Sequence, residues 1–354
     1  MSGEVFPIIK ILFFTALAFT IAILWTPLLT HFLYKYKLGK KIRAEGITPI
    51  FTALHIKKEG TPTMGGILVW LTVAFLAVGF WLITKLAGSH DILSAFNFLT
   101  RKQTLLPLGI LLFAAAIGLI DDLLGIFKKI KGLERGLRVR QRLIVYTIIA
   151  AIGAWWFYFK LDWDLIHVPF IGDFNIGWWY IPIFIFILVA AAHSTNLTDG
   201  LDGLAGGVLL VAFSSYAVIS YSQGKLELAT FCGAIAGALL AFLWFNIYPA
   251  RFFMGDTGSM SLGITLGVIA MLTNSLFFLP FIGSILVVES LSTIVQVFSK
   301  KLRHKKLFLS APIHHHFEAL GWPETKVTMR FWIISGVVAA IGLILFFVDN
   351  NLIK

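Results

Sequence analysis

The sequence predicts an all-α fold, a polytopic integral membrane protein of about ten transmembrane helices with both termini on the periplasmic side. Three observations carry that prediction. Of the 354 residues 58% are hydrophobic and only 13% charged, with a mean hydropathy of +0.88. Apolar stretches of 18 or more residues, each long enough to cross a bilayer, recur along the whole length. Lys and Arg collect in alternate loops between those stretches, as the positive-inside rule requires.

Taken in order, the apolar runs place spans at about 6–34, 65–86, 104–121, 142–159, 178–196, 204–222, 227–246, 258–274, 277–298 and 329–348. The first run, Phe6 to Tyr34, is longer than the core of a secretory signal and lacks a small-residue cleavage site, so it reads as a retained span. Basic residues fill the loop after span 1 (Lys35 to Lys58), the loop after span 3 (Lys128 to Arg142) and the loop after span 9 (Lys300 to Arg330), with Arg251 after span 7. That face is cytoplasmic, and an even number of spans puts both termini on the other. No repeat or low-complexity segment interrupts the chain, so residues 1–354 read as a single transmembrane domain. The single Cys, Cys232, excludes a disulfide framework. The net charge of +11 is explained by basic residues beside spans and anionic lipid, which leaves no reason to invoke nucleic acid.

The unusual polar segments all fall on the basic face. Asn196, Asp199 and Asp202 recur every third residue in the Gly-punctuated turn between spans 5 and 6, a spacing that lets them converge on one ligand. Alone, they read better as helix-capping residues of a short loop, an order that the further polar clusters on this face reverse. Asp121 and Asp122 end span 3, where carboxylates are costly unless they pair, bind a cation or do chemistry. Asp256 lies in Phe252-Phe253-Met254-Gly255-Asp256-Thr257-Gly258-Ser259, at the start of span 8, whose free amides and positive dipole end suit an anion. Such a donor set favours a hard cation held through oxygen, and Mg²⁺ fits best because it takes one or two carboxylates and completes its shell with water and phosphate. Basic loop residues then hold a diphosphate beside it, an arrangement for phosphoryl transfer.

Three consecutive side chains, His314-His315-His316, cannot all point at one metal ion from regular backbone, so phosphate or sugar contact is the better reading for that run. His193 lies within a span and reads equally as a structural or a functional residue. Glu289, well inside a span, has to be protonated or partnered.

Together these segments resemble a family. Gly60-Thr-Pro-Thr-Met-Gly-Gly66, Asp121-Asp122, Asn196-Leu-Thr-Asp-Gly-Leu-Asp-Gly-Leu-Ala205, Asn246-Ile-Tyr-Pro-Ala250 with Phe253-Met-Gly-Asp-Thr-Gly-Ser259, and Ala311-Pro-Ile-His-His-His-Phe-Glu318 resemble the bacterial phospho-N-acetylmuramoyl-pentapeptide transferases, in the family's order and from about Lys58 to Trp332. The resemblance implies attack by undecaprenyl phosphate on the β-phosphate of UDP-N-acetylmuramoyl-pentapeptide, giving lipid I and UMP at the cytoplasmic leaflet of the inner membrane, with Mg²⁺ required. It implies Asp256 as the metal ligand, Asp121 and Asp122 as candidates for activating the lipid phosphate or helping to hold the metal, and Lys58 and His315 beside them in the catalytic group. Substrate contacts implied are Thr63, Asn196, Asp199, Asp202, His314, His316, Gln296 near the nucleoside, and Phe253 stacked on uracil. The family's second basic loop departs here: Gly136, Arg138 and Arg142 stand where Arg, Lys and Gln are usual, and Arg138 is the candidate to replace the Lys at the phosphate. A homodimer follows from family analogy alone.

Two rival readings make different demands. A sister polyprenyl-phosphate sugar-1-phosphate transferase would share the Asp clusters but use a UDP-N-acetylhexosamine without peptide, and the Ala311 to Glu318 segment argues against it. A secondary transporter would place its polar residues near the bilayer midplane and show paired halves, and neither feature is present.

Overall fold

The structure, a computed structural model, describes residues 5–39, 58–86, 91–127 and 137–352. The basic residues Lys40 to Lys57 and Lys128 to Arg135 lie outside those described. Of the described residues 77% are helical. Its helices are α1 (Val5–Lys35), α2 (Ile67–Leu86), the short α3 (Asp91–Phe96), α4 (Leu105–Phe127), α5 (Val139–Lys160), α6 (Tyr180–Thr198), α7 (Leu204–Ser222), α8 (Leu226–Asn246), α9 (Gly255–Leu272), α10 (Leu279–Ile282), α11 (Ser284–Arg303), α12 (Ile313–Ala319) and α13 (Glu324–Leu352). Among the described residues nine helices are long and apolar enough to cross a membrane, and the α10–α11 pair makes a tenth crossing only as a broken one. The chain is a multi-pass membrane protein.

Two features depart from the sequence expectation. The ninth span, expected as one helix over 277–298, bends by 85° between α10 and α11. Pro280 belongs in the first turn of a helix, and Gly283 takes the non-helical pair φ −103°, ψ 33°, so the chain stops and restarts there. An antiparallel hairpin, β1 (Leu165–Val168) and β2 (Gly172–Asn175), joins α5 to α6 in an otherwise helical chain. His167 of the hairpin contacts Asp173 at 2.7 Å and Asp349 of α13 at 2.6 Å, and Asp349 also accepts the Phe170 N–H. Burial opposes protonation of His167, but the two carboxylates outweigh it and raise its pKa above the ordinary imidazole range.

Helices buried on all sides have no solvated face to pattern, so the sequence can be apolar all round. Every residue of α9 is buried, packed between α4 and α6, while α8 packs against α1 and α7. Helix α11 is the exception: Ile285, Leu286, Glu289, Ser292 and Gln296 face inward, while Val288, Leu291, Ile294, Val295 and Phe298 are exposed. Lys10 of α1 bonds the Asn97 carbonyl between α2 and α4, and Asp349 bonds the α5–α6 hairpin.

The crossing of α4 over the start of α9 depends on Gly118. A Cβ there would come within 2.4 Å of the Asp256 carbonyl oxygen, a backbone atom that cannot swing aside. Gly118→Ala gains about 1 kcal/mol of helix propensity, but overpacking costs about 1–3 kcal/mol. It also pushes Asp121 and Asp122, one turn further along α4, away from Asp256. The expected result is a lower thermal midpoint in detergent together with reduced turnover; an unchanged midpoint would show that α4 and α9 can separate freely.

Candidate active site

Asp121 and Asp122 are fully buried and lie inside α4, which continues six residues past where the sequence was expected to leave the membrane. The first turn of α9 explains their position. N-terminal amides of a helix need acceptors, and here other helices supply them: Thr257 N–H donates to Asp122 Oδ2 at 3.0 Å, and Gly255 N–H donates to Asp199 Oδ2 at 3.2 Å. The expectation that these amides wait for an anion is thus corrected for two of them, which carboxylates from α4 and the end of α6 already cap. Gly255 has φ +74°, and a side chain there would strike Asp122 Oδ2 and Thr63 Oγ1, each at 2.6 Å. Thr63 is thereby brought beside Asp122.

The centre of the cluster is Arg142, in the first turn of α5. Its Nε donates to Asp121 Oδ2 at 2.9 Å, Nη1 to Asn196 Oδ1 at 3.0 Å and Nη2 to Asp256 Oδ2 at 2.9 Å. Asn196 in turn donates from Nδ2 to Asp256 Oδ1 at 2.7 Å and to Ser259 Oγ at 3.0 Å. One planar guanidinium thus ties four helices, which only its fixed fork of donors allows. Arg138, the expected phosphate contact, is not part of this cluster: it is exposed at the start of α5, with its backbone N–H on Gln141 Oε1. In the sequence Arg142 was one basic residue among several in the loop after span 3.

A second cluster holds Lys58. Its Nζ lies 2.6 Å from Asp202 Oδ1 and 2.5 Å from Glu324 Oε1, and the same Glu324 oxygen accepts the Asp202 N–H. Asp202 Oδ2 accepts the Ala250 N–H, and Asn246 joins the Gly203 N–H to the Phe252 carbonyl. The Lys58 ammonium lies 5.9 Å from the Phe253 ring and 6.0 Å from the Tyr248 ring. Phe253 is half-buried, with its backbone fixed to Pro62 and Gly65, so its ring forms part of a rigid wall. Glu324 was missed because an acid in the first turn of a helix reads as dipole compensation; only the fold sets α13 against the 199–203 turn, where Trp332 Nε1 donates to the Gly203 carbonyl at 3.1 Å.

The His triplet divides. His314 Nδ1 meets Glu289 Oε2 at 2.9 Å, both residues fully buried, and its other ring nitrogen points at Gly200. His315 Nδ1 meets Glu318 at 2.7 Å, and His316 Nδ1 accepts the Leu309 N–H at 3.2 Å. Gln296, expected at the nucleoside, instead spends its amide on the backbone: Oε1 accepts from Leu307 and Phe308, and Nε2 donates to the Phe308 carbonyl. It shapes the segment before α12. His193, half-buried near the end of α6, has no hydrogen bond among those described.

A model of the glycosyl transferase family 4 matches residues 104–274, the stretch that holds Asp121, Asp122, Arg142, Asn196, Asp199, Asp202 and Asp256. A phospho-N-acetylmuramoyl-pentapeptide-transferase of Chloroflexus aggregans is 39% identical over 347 residues, covering 94% of this chain and 89% of the relative. Proteins of the same name from Geobacillus thermodenitrificans and Clostridium novyi are 38% and 40% identical, over 93% and 92% of this chain and 95% and 93% of theirs. The chain belongs to this family. Membership removes the transporter reading and gives the buried carboxylate cluster a reaction class. Outside the matched stretch, Lys58, Glu289, His314 and Glu324 come from the first loop and the last three helices.

Proposed function

We propose that the chain transfers phospho-N-acetylmuramoyl-pentapeptide from UDP to undecaprenyl phosphate, at the end of the bundle that holds Arg142 and its partners, facing the cytoplasm from the inner membrane. An oxygen of the lipid phosphate attacks the β-phosphorus, the bond from that phosphorus to the α-phosphate bridging oxygen breaks, and UMP leaves with the electron pair. The product is lipid I. The observation that supports the site most is the convergence of Asp121, Asn196 and Asp256 on one guanidinium at a helix-bundle end.

Three phosphates brought together carry strong negative charge, so the site needs cations. Arg142 supplies one. Among the described residues no group of three His, Cys, Asp or Glu is placed to cage a metal, which suits Mg²⁺, an ion that keeps water and substrate phosphate in its shell. The oxygen donors fit it: Asp256, with Asp121 beside it, would hold Mg²⁺. Bound there, the ion would neutralise charge on the diphosphate. Asp121 and Asp122 orient the lipid phosphate. Phe253 stacks on uracil beside Lys58, whose ammonium Asp202 and Glu324 hold in place, while Thr63 and Asp199 line the path between the two clusters.

UMP release by detergent-purified protein, with undecaprenyl phosphate as acceptor, tests this reading. Release is expected with the muramoyl-pentapeptide donor and Mg²⁺, and loss of release with EDTA. Release that survives EDTA would remove the metal from the site, and equal release from UDP-N-acetylglucosamine would move the chain to the sister transferases.

A further inference from the structure

Glu289 is the one acid of the chain deep inside a broken membrane helix, and nothing in the reaction outlined above employs it. A buried carboxylate is costly without a partner, and its partner is His314 Nδ1 at 2.9 Å. Neither residue has any exposed surface. Each still leaves one polar atom without a hydrogen bond, Glu289 Oε1 and His314 Nε2. Unsatisfied buried polar atoms are rare enough to need an explanation.

The geometry around them is directional. His314 Nε2 lies so close to Gly200 that a Cβ there would sit 2.3 Å from it, and Gly200 directly follows Asp199, which caps α9, and precedes by two residues Asp202, which holds Lys58. Glu289 is carried on a fixed element: its neighbour Ser290 donates to Ser194 Oγ at 2.7 Å, two residues before Asn196. His315 Nδ1 meets Glu318 Oε2, and His316 Nδ1 accepts the Leu309 N–H.

We propose that Glu289 is a positioning residue. Its carboxylate accepts Nδ1–H of His314 and so fixes the ring against Gly200, which sets the Asp199–Gly203 turn whose Asp199 caps α9 and whose Asp202 holds Lys58. A carboxylate that orients a histidine acts through it, as outer-shell partners of reactive groups do. This rests on the site assigned above.

Glu289→Gln keeps the shape and a carbonyl acceptor but removes the charge. The expected result is a fall in kcat of about 10–100-fold, with KM for the nucleotide donor and the thermal midpoint close to wild type. Because Glu289 acts through His314, the double variant E289Q/H314Q should be no slower than H314Q alone, a coupling that independent losses cannot produce. Wild-type kcat in E289Q, a loss of kcat that follows a loss of thermal stability, or losses that multiply in the double variant would each overturn the inference. D256N in the same assay separates the two levels: if D256N is dead and E289Q behaves as wild type, the inference alone fails, whereas full turnover by D256N sinks the site itself.

Discussion

Asp256→Asn is expected to reduce UMP release by about 10³-fold or more while the protein stays folded. The physical reason lies in how much of the side chain's work is geometric and how much is charge. The Asn side chain has nearly the shape of Asp, and its carbonyl can still accept from Arg142 Nη2, so the packing of α5 against the start of α9 survives. What is lost is the negative charge at the second position of α9, a charge that the proposed Mg²⁺ site requires. The thermal midpoint should therefore move little, and the residual turnover should no longer respond to Mg²⁺. Turnover within tenfold of wild type, still dependent on Mg²⁺, would show that the metal is held elsewhere.

How much of this was legible in the sequence depends on the kind of signal. Spans were legible because the bilayer imposes a length and a polarity on each run, and the polar turns were legible because carboxylates beside apolar runs are costly. Asp121, Asp122, Asn196 and Asp256 were accordingly found, and the fold brings them together. Arg142 was counted as one basic loop residue among several, since nothing local marks which arginine of a loop turns inward. Glu324 was hidden by a sufficient local explanation, a helix-start acid. Gln296 was placed at the nucleoside by resemblance, yet a buried amide satisfies backbone wherever it is nearest, and here that is Leu307 and Phe308. The break before α11 was written in Pro280 and Gly283, but an apolar run that is long enough to span outweighed both.

Arg142 gives the second large effect, and comparing two substitutions separates its roles. Asp121 is wholly buried and the Asp256 side chain is 5% exposed, so removing the guanidinium takes from both carboxylates a counter-charge held in a low-dielectric site. Breaking a buried pair in this way costs about 3–5 kcal/mol. Arg142→Ala is thus expected to lower the thermal midpoint markedly and to abolish turnover. Arg142→Lys restores a charge but not the fork, and one ammonium on a flexible stem cannot serve Asp121, Asn196 and Asp256 at once from the same geometry. Stability should largely return, while turnover stays about 10²-fold below wild type. Magnesium then discriminates further. If the ion and the guanidinium serve the same pair of carboxylates, Mg²⁺ should raise the thermal midpoint of R142A more than that of wild type, because in the variant the cation replaces a missing charge instead of competing with one. A midpoint for R142A that matches wild type without Mg²⁺ would mean that the carboxylates are not coupled through Arg142, and a midpoint that ignores Mg²⁺ would separate the metal site from the arginine.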